Sequence, residues 1–133
     1  MRRRTRVLLL VLGVAVVLWF VVNPPGRFGR CTFAWTTYNS IPRVLSDVQV
    51  RSDGELRSVP KTHALTDQQV QWLLDPMPEV LIIGTGWDGM VHPDLSNVPG
   101  CEVTQLKTPD AVRLYNRLKK SGKRVAIHLH STC

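Results

Sequence analysis

The side chains best suited to chemistry in this chain are His128, His130 and Cys133, near the end of the sequence. The two histidines are two residues apart in the β-prone segment RVAIHLH, so they are expected on one face of a strand. Imidazole and thiolate are good zinc ligands. Histidines that share a strand face more often pack or hydrogen-bond, so we predict a polar cluster and no metal site.

A glycine-rich loop is the second candidate. The residues from Gly84 to Gly89 match the pattern GxGxxG and follow the strand-like run VLIIG, an order that can cradle a pyrophosphate. The rest of the dinucleotide fingerprint is missing, because Pro93 comes too early for a long helix and no acidic residue ends the next strand. We therefore predict a tight turn at a sheet edge, with no nucleotide or other cofactor.

The same loop is still expected to contact a ligand or a partner, because ligands bind at the carboxyl ends of central strands. Trp87 is either a lid over the core or an exposed contact residue. The candidate ligand or partner loop comprises Gly84, Thr85, Gly86, Trp87, Asp88 and His92.

Complete catalytic machinery is not recognisable in the sequence. Ser131 is the only serine close to the C-terminal histidines, and neither a base nor an orienting acid can be assigned to it. Paired carboxylates are also missing. The sequence therefore favours a binding protein over an enzyme.

The elements that must position these residues alternate between strands and helices. A hairpin is predicted over residues 48–59 around Asp53-Gly54, and a helix begins at Thr66 with capping-box spacing to Gln69. Strands follow at residues 80–84, 101–106 and 124–130, and one helical turn is expected in the loop between the first two. Thr108-Pro109-Asp110 predicts a helix start with the Thr108 hydroxyl as N-cap, and Gly122 is expected just after that helix. The pattern predicts one small α/β domain, residues 47–133, whose sheet has a right-handed crossover and is preceded by an antiparallel hairpin.

The N-terminal region has the pattern of a membrane-targeting segment. Residues 1–6 form a basic leader, and residues 7–22 are an apolar run of about 24 Å as a helix. We predict an uncleaved transmembrane signal anchor because no small-residue cleavage site follows; a cleaved signal peptide and a twin-arginine signal are the alternatives. The four leading arginines predict a single-pass protein with a cytoplasmic N-terminus and a translocated domain, in the bacterial periplasm or its equivalent.

Residues 23–46 are predicted to be a connector. Its segment CTFAWTTY is β-prone and is either a short edge strand or an ordered tether lying on the domain. Residues 47–133 hold ten basic and ten acidic side chains, so the net charge of +7 belongs to the front of the chain. This distribution argues against nucleic-acid binding. Three cysteines without a CxxC motif exclude a disulfide-dense scaffold.

The segments EVLIIGTG and TPDAVRLYNRL and the tail HSTC together carry a family resemblance. They resemble the small domain shared by an adipogenesis-associated protein, mitochondrial complex I assembly factor 3 and a methanogen protein of unknown function. The resemblance covers roughly residues 48–133. It implies a compact α/β domain with a mixed sheet and, through the respiratory-complex branch, a protein-binding role. It implies no catalytic residues.

The sequence thus predicts a membrane-anchored α/β binding or assembly module with a protein partner. The alternative is a small-molecule- or nucleotide-binding domain, or an enzyme, that uses the loop from Gly84 to Asp94 together with His128 or His130.

Overall fold

The computed structural model describes residues 2–133. The helices are α1 (Arg3–Val22), α2 (Asp67–Val70), which continues as a 3₁₀ turn (Gln71–Leu74), and α3 (Thr108–Lys120). The strands are β1 (Phe28–Thr32), β2 (Trp35–Tyr38), β3 (Ile41–Val44), β4 (Asp47–Val50), β5 (Leu56–Val59), β6 (Ala64–Thr66), β7 (Val80–Gly84), β8 (His92–Asp94), β9 (Glu102–Leu106) and β10 (Val125–Leu129).

A five-stranded sheet with the order β5-β4-β10-β7-β9 forms the centre of the domain. Strands β7, β9 and β10 are parallel to one another, whereas β4 pairs antiparallel with both β10 and β5. The predicted mixed α/β sheet and its antiparallel hairpin are therefore confirmed. Strand β10 lies in the middle of the sheet, so the histidines at its end lie at the centre of the domain.

Both faces of the central sheet are covered. On β7, Ile82 packs in a cluster with α3, and Leu81 and Ile83 pack in a second cluster on the opposite face. All five residues of β7 are buried, which is the burial expected of a continuous apolar run in a parallel sheet.

Residues 23–46, which were predicted to be a connector, contain three strands in the structure. Strands β1, β2 and β3 form a separate three-stranded antiparallel sheet. Phe28 and Tyr38 are 2% and 5% exposed, and both rings pack edge-on against Tyr115 of α3. The side-chain amide of Asn116 also holds the backbone of Phe28, accepting from its N–H at 2.9 Å and donating to its carbonyl at 2.8 Å. The core therefore begins at β1.

Two local features of the loops also differ from the prediction. The loop after β7 contains no helical turn; its strand β8 pairs in parallel with β6. The helix α3 has Lys107 as its N-cap, without a side-chain cap. The Thr108 hydroxyl accepts from Gly86 N–H at 3.1 Å and donates to the His130 carbonyl at 2.7 Å. The Thr108 hydroxyl does not cap the helix because both of these partners lie in other parts of the fold.

Other terminal signals are confirmed. Thr66 N–H donates to Gln69 Oε1 at 2.8 Å within a capping box. Gly122 follows α3 with a φ of +82°, a left-handed conformation that glycine adopts without a Cβ clash.

Helix α1 is long and apolar enough to cross a membrane, with a mean hydropathy of 2.6, and none of that span is buried. A signal sequence near the N-terminus has the same properties. The twenty residues of α1 extend about 30 Å, the thickness of a hydrocarbon core. The Trp19 indole N–H donates to the Ser40 carbonyl at 3.1 Å, so the end of the helix contacts the turn between β2 and β3.

Candidate functional site

Three neighbouring strands place polar side chains in one row across the sheet. Gln49 of β4 is opposite Arg57 of β5 on one side and opposite His128 of β10 on the other. Gln49 and His128 are each 1% exposed, although both are polar. Buried polar groups are costly unless they are hydrogen-bonded, so the partners of these atoms determine what the row can do.

The hydrogen bonds fix the tautomer of His128. Gln49 Oε1 accepts from Arg57 Nε at 2.9 Å and Nη2 at 2.7 Å, and Gln49 Nε2 donates to the Gln69 carbonyl at 2.8 Å. Arginine is only a donor and a carbonyl is only an acceptor, so the orientation of the Gln49 amide is set. Its Nε2 lies 3.1 Å from His128 Nδ1, which must accept. The ring proton is therefore on Nε2.

That Nε2–H group is buried and has no hydrogen-bond partner among the described residues. Burial lowers the pKa of His128 to about 4, so the ring is neutral near pH 7. His128 also lines a cleft of about 490 Å³. A bound acceptor atom that reached this unpaired donor from the cleft would satisfy it.

The cleft is positively charged. Arg57 and Lys61 line it, and none of its lining residues among those described is acidic. The Arg57 guanidinium lies 4.4 Å from the centre of the Trp72 ring, and Arg51 lies 4.9 Å from the same ring. The indole therefore holds the Arg57 fork in place. Because its bonds to Gln49 use Nε and Nη2, Nη1 remains able to donate.

A second polar cluster lies beside this row. Asp47 is 0% exposed, and its Oδ2 lies 2.7 Å from His130 Nδ1. Asp47 Oδ1 accepts from the Ser131 backbone N–H at 3.0 Å. The carboxylate fixes the His130 ring with Nε2 facing away from it. The Cys133 Sγ lies 3.5 Å from His63 Nε2, and the rings of His63 and His130 meet edge-on.

The predicted cluster of His128, His130 and Cys133 is thus divided in the structure. His130 and Cys133 come together with His63, whereas His128 belongs to the row with Gln49 and Arg57. The two histidines share a strand face as expected, but they bond to different partners on β4.

The glycine-rich loop uses its backbone amides internally. The N–H groups of Thr85, Trp87 and Val91 donate to the carbonyls of residues 106, 132 and 85. Gly86 donates to Thr108 Oγ1, and the amides of residues 88, 89 and 90 donate to carbonyls of residues 133 and 86. Each amide from 85 to 91 therefore has a partner, which leaves none to cradle a phosphate. Gly86 has the left-handed φ of +103° expected of a turn.

Other residues of the candidate loop line a second, open cleft of about 520 Å³. Thr85, Asp88 and His92 lie there with Lys107. Trp87 is half-buried, and its indole N–H is enclosed without a partner among the described residues. Its contact with a protein partner stays a prediction.

Sequence reasoning missed four residues of the two clusters: Asp47, Gln49, Arg57 and His63. Asp47 and Gln49 alternate with valines, which is the usual pattern of a strand with one wet face. The sequence does contain one relevant pattern, because polar and apolar residues alternate both in DVQV and in HLH. That combination indicates a polar row inside the sheet only if the strands are known to be neighbours.

The fold is a small mixed α/β domain of the Mth938-like class. The structure of MT938 is 29% identical, covers 80% of this chain and 98% of its own, and has a TM-score of 0.70. A Mth938-like domain protein of Bordetella pertussis, solved by NMR in solution, is 19% identical, with coverages of 79% and 85% and a TM-score of 0.63. An outer membrane protein from Bartonella henselae is 20% identical, with coverages of 82% and 98% and a TM-score of 0.64.

The chain belongs to the family described as protein of unknown function (DUF498/DUF598), whose model matches residues 28–130. That range begins at β1. No curated protein matches the chain. The family-level resemblance is therefore confirmed, and the specific resemblance to the adipogenesis-associated protein and to complex I assembly factor 3 stays a prediction.

Proposed function

We propose that this protein is a membrane-tethered binding module whose domain takes a carboxylate or phosphate group of a ligand into the cleft beside Arg57 and His128. The observation that carries the proposal is a cationic cleft lined by Arg57, Lys61 and His128, whose ring keeps a buried Nε2–H without a partner among the described residues.

The chemistry of the cleft favours an anion. Arg57 offers a positioned guanidinium, and hydrogen bonds to charged groups are stronger than neutral ones. His128 adds a neutral N–H whose direction is set through Gln49. A ligand oxygen that accepts from both groups would satisfy the unpaired donor and neutralise the charge without disturbing the row.

The tether supports a role at a membrane. Helix α1 is about 30 Å long, of which residues 7–22 form an apolar run of about 24 Å, and Arg2, Arg3, Arg4 and Arg6 precede or begin it. By the positive-inside rule, the N-terminus is cytoplasmic and the domain is on the translocated side. The Trp19–Ser40 contact holds the domain close to the end of the helix.

The test is anion binding by the full-length protein in a nonionic detergent. Titration calorimetry with inorganic phosphate, and separately with acetate, is expected to give saturable binding at about 1 mM or tighter. Arg57→Gln should weaken it at least about tenfold, the effect of losing one charge-assisted hydrogen bond.

Arg113→Gln is the matched control, because Arg113 is 75% exposed on α3 and pairs only with Asp110 among the described residues. It should leave the affinity unchanged. Equal loss in both variants would mean nonspecific charge attraction, and an absence of saturable binding would contradict the proposal.

A protein partner is the second candidate, and it rests on a different surface. The three-stranded sheet and its turns expose a group of apolar side chains close to the tether, namely Phe33, Trp35, Ile41, Val44 and Leu45. Contiguous exposed apolar groups are typical of interaction sites. Purification from native membranes should recover a partner with the wild type and lose it with Val44→Glu, whereas Arg113→Gln should retain it. Recovery with Val44→Glu would contradict this role.

A further inference from the structure

We propose that His63, His130 and Cys133 bind a transition-metal ion of the zinc type, and that Asp47 orients His130 for this role. The proposal is independent of the anion cleft, because it uses none of Arg57, Gln49 and His128. The sequence predicted a polar cluster of His128, His130 and Cys133 without a metal, and the proposed site replaces His128 with His63.

The separations of the ligand atoms fit a metal. One ligand atom from each of His63, His130 and Cys133 lies within 4.8 Å of the others. The Cys133 Sγ to His63 Nε2 distance is 3.5 Å. In tetrahedral zinc, a Zn–S bond of about 2.3 Å and a Zn–N bond of about 2.05 Å place the two ligand atoms about 3.5 Å apart. The distance between Cys133 Sγ and His63 Nε2 therefore already matches that of a tetrahedral zinc site.

The orientation of His130 is that of a metal ligand. Its Nδ1 is 2.7 Å from the buried Asp47 carboxylate, and its other ring nitrogen, Nε2, lies 3.3 Å from the Thr132 hydroxyl, a contact that a metal ion on Nε2 would replace. Metal-binding histidines usually donate their other N–H to a carboxylate or a carbonyl, which fixes the ring and raises its basicity. The Cys133 thiolate and the Asp47 carboxylate would together balance the two charges of the ion.

The rival interpretation of this cluster is a Cys133 nucleophile with His63 as its base. Such chemistry needs donors for a developing oxyanion. The nearby amides of Trp87, Asp88 and Met90 already donate to the carbonyls of residues 132 and 133. The geometry therefore favours a metal. His63 is exposed and Cys133 is half-buried, so a fourth position is open to water or a ligand.

The test is zinc binding by the full-length protein in detergent after removal of metal with a chelator. Competition with a chromophoric chelator should give one Zn²⁺ per chain. His63→Ala and Cys133→Ser should each weaken binding by about 100-fold or more, because loss of an outer-shell partner alone costs roughly 10–100-fold. Cys31→Ser removes a thiol outside the cluster, and it should bind zinc like the wild type.

Cobalt supplies a signature that a structural role cannot produce. Co²⁺ should give a thiolate-to-metal charge-transfer band that Cys133→Ser abolishes, while far-UV circular dichroism shows that the variant is folded. The proposal is overturned if zinc does not bind, if both ligand variants bind like the wild type, or if one ion is held by two chains.

Discussion

The packing of Phe28 tests whether β1 belongs to the core. Phe28→Ala should lower the free energy of unfolding by about 3–5 kcal/mol, the usual cost of deleting a buried aromatic side chain. The ring is 2% exposed and meets Tyr38 and Tyr115 edge-on, with centroid distances of 4.9 and 5.0 Å. Each such aromatic pair contributes roughly 0.5–1.5 kcal/mol beyond burial, so the upper half of the range is expected.

The assay is unfolding of the full-length protein in detergent, followed by near-UV circular dichroism. This signal mainly reports the packed aromatic rings of the domain, because helix α1 holds only two aromatic residues, Trp19 and Phe20. For a domain of about 100 residues, a loss of about 4–5 kcal/mol lowers the melting temperature by roughly 16–40 °C.

Phe33→Ala is the control, since Phe33 is in the same segment and is 57% exposed. It should change stability by less than about 0.5 kcal/mol. If the two variants have equal stability, residues 23–46 are a connector after all and the assignment of β1 to the core is refuted.

Three further predictions concern the loop and the thiols. Gly86→Val should destabilise the domain by about 2–5 kcal/mol in thermal unfolding, because strained φ adds to a clash with the backbone of Cys133. Gly100→Val, with positive φ but open space, should cost only the strain, and equal losses would exclude the clash. Thr108→Val should cost about 2–4 kcal/mol in urea unfolding, since it orphans the buried Gly86 N–H and His130 carbonyl; a neutral result would refute that bridge. Iodoacetamide at about pH 7.5 should label Cys133 first by mass spectrometry, because burial raises the pKa of the Cys31 thiol; faster labelling of Cys31 would contradict this.

The strands and helices with strong local signals were predictable from the sequence. The signals for these elements lie within a few neighbouring positions: a continuous apolar run in VLIIG, a turn glycine in the hairpin around Gly54, and helical spacing of apolar residues after Lys107. Strands β1 to β3 have only four or five residues each, and Phe28 and Tyr38 are buried against Tyr115 and Asn116, more than 70 residues away. Such distant contacts leave no periodic trace in the segment itself.

The candidate site was predicted less well for the same reason. His130 and Cys133 were identified by residue type, but His63 and Asp47 reach them only through the folded sheet. The choice of Thr108 as a helix cap was wrong because two tertiary partners compete for its hydroxyl. Local rules predict a cap when no such partners are known.

The most direct test of the binding proposal is side-chain NMR of the full-length protein labelled with ¹⁵N-histidine. His128 should show the Nε2–H tautomer and His130 a proton on Nδ1, because Gln49 and Asp47 fix the two rings in opposite ways. Titration with inorganic phosphate should then shift the His128 Nε2 resonance to saturation, and Arg57→Gln should abolish the shift. A His128 proton on Nδ1, or an unmoved His128 resonance while phosphate binding saturates elsewhere, would contradict the account.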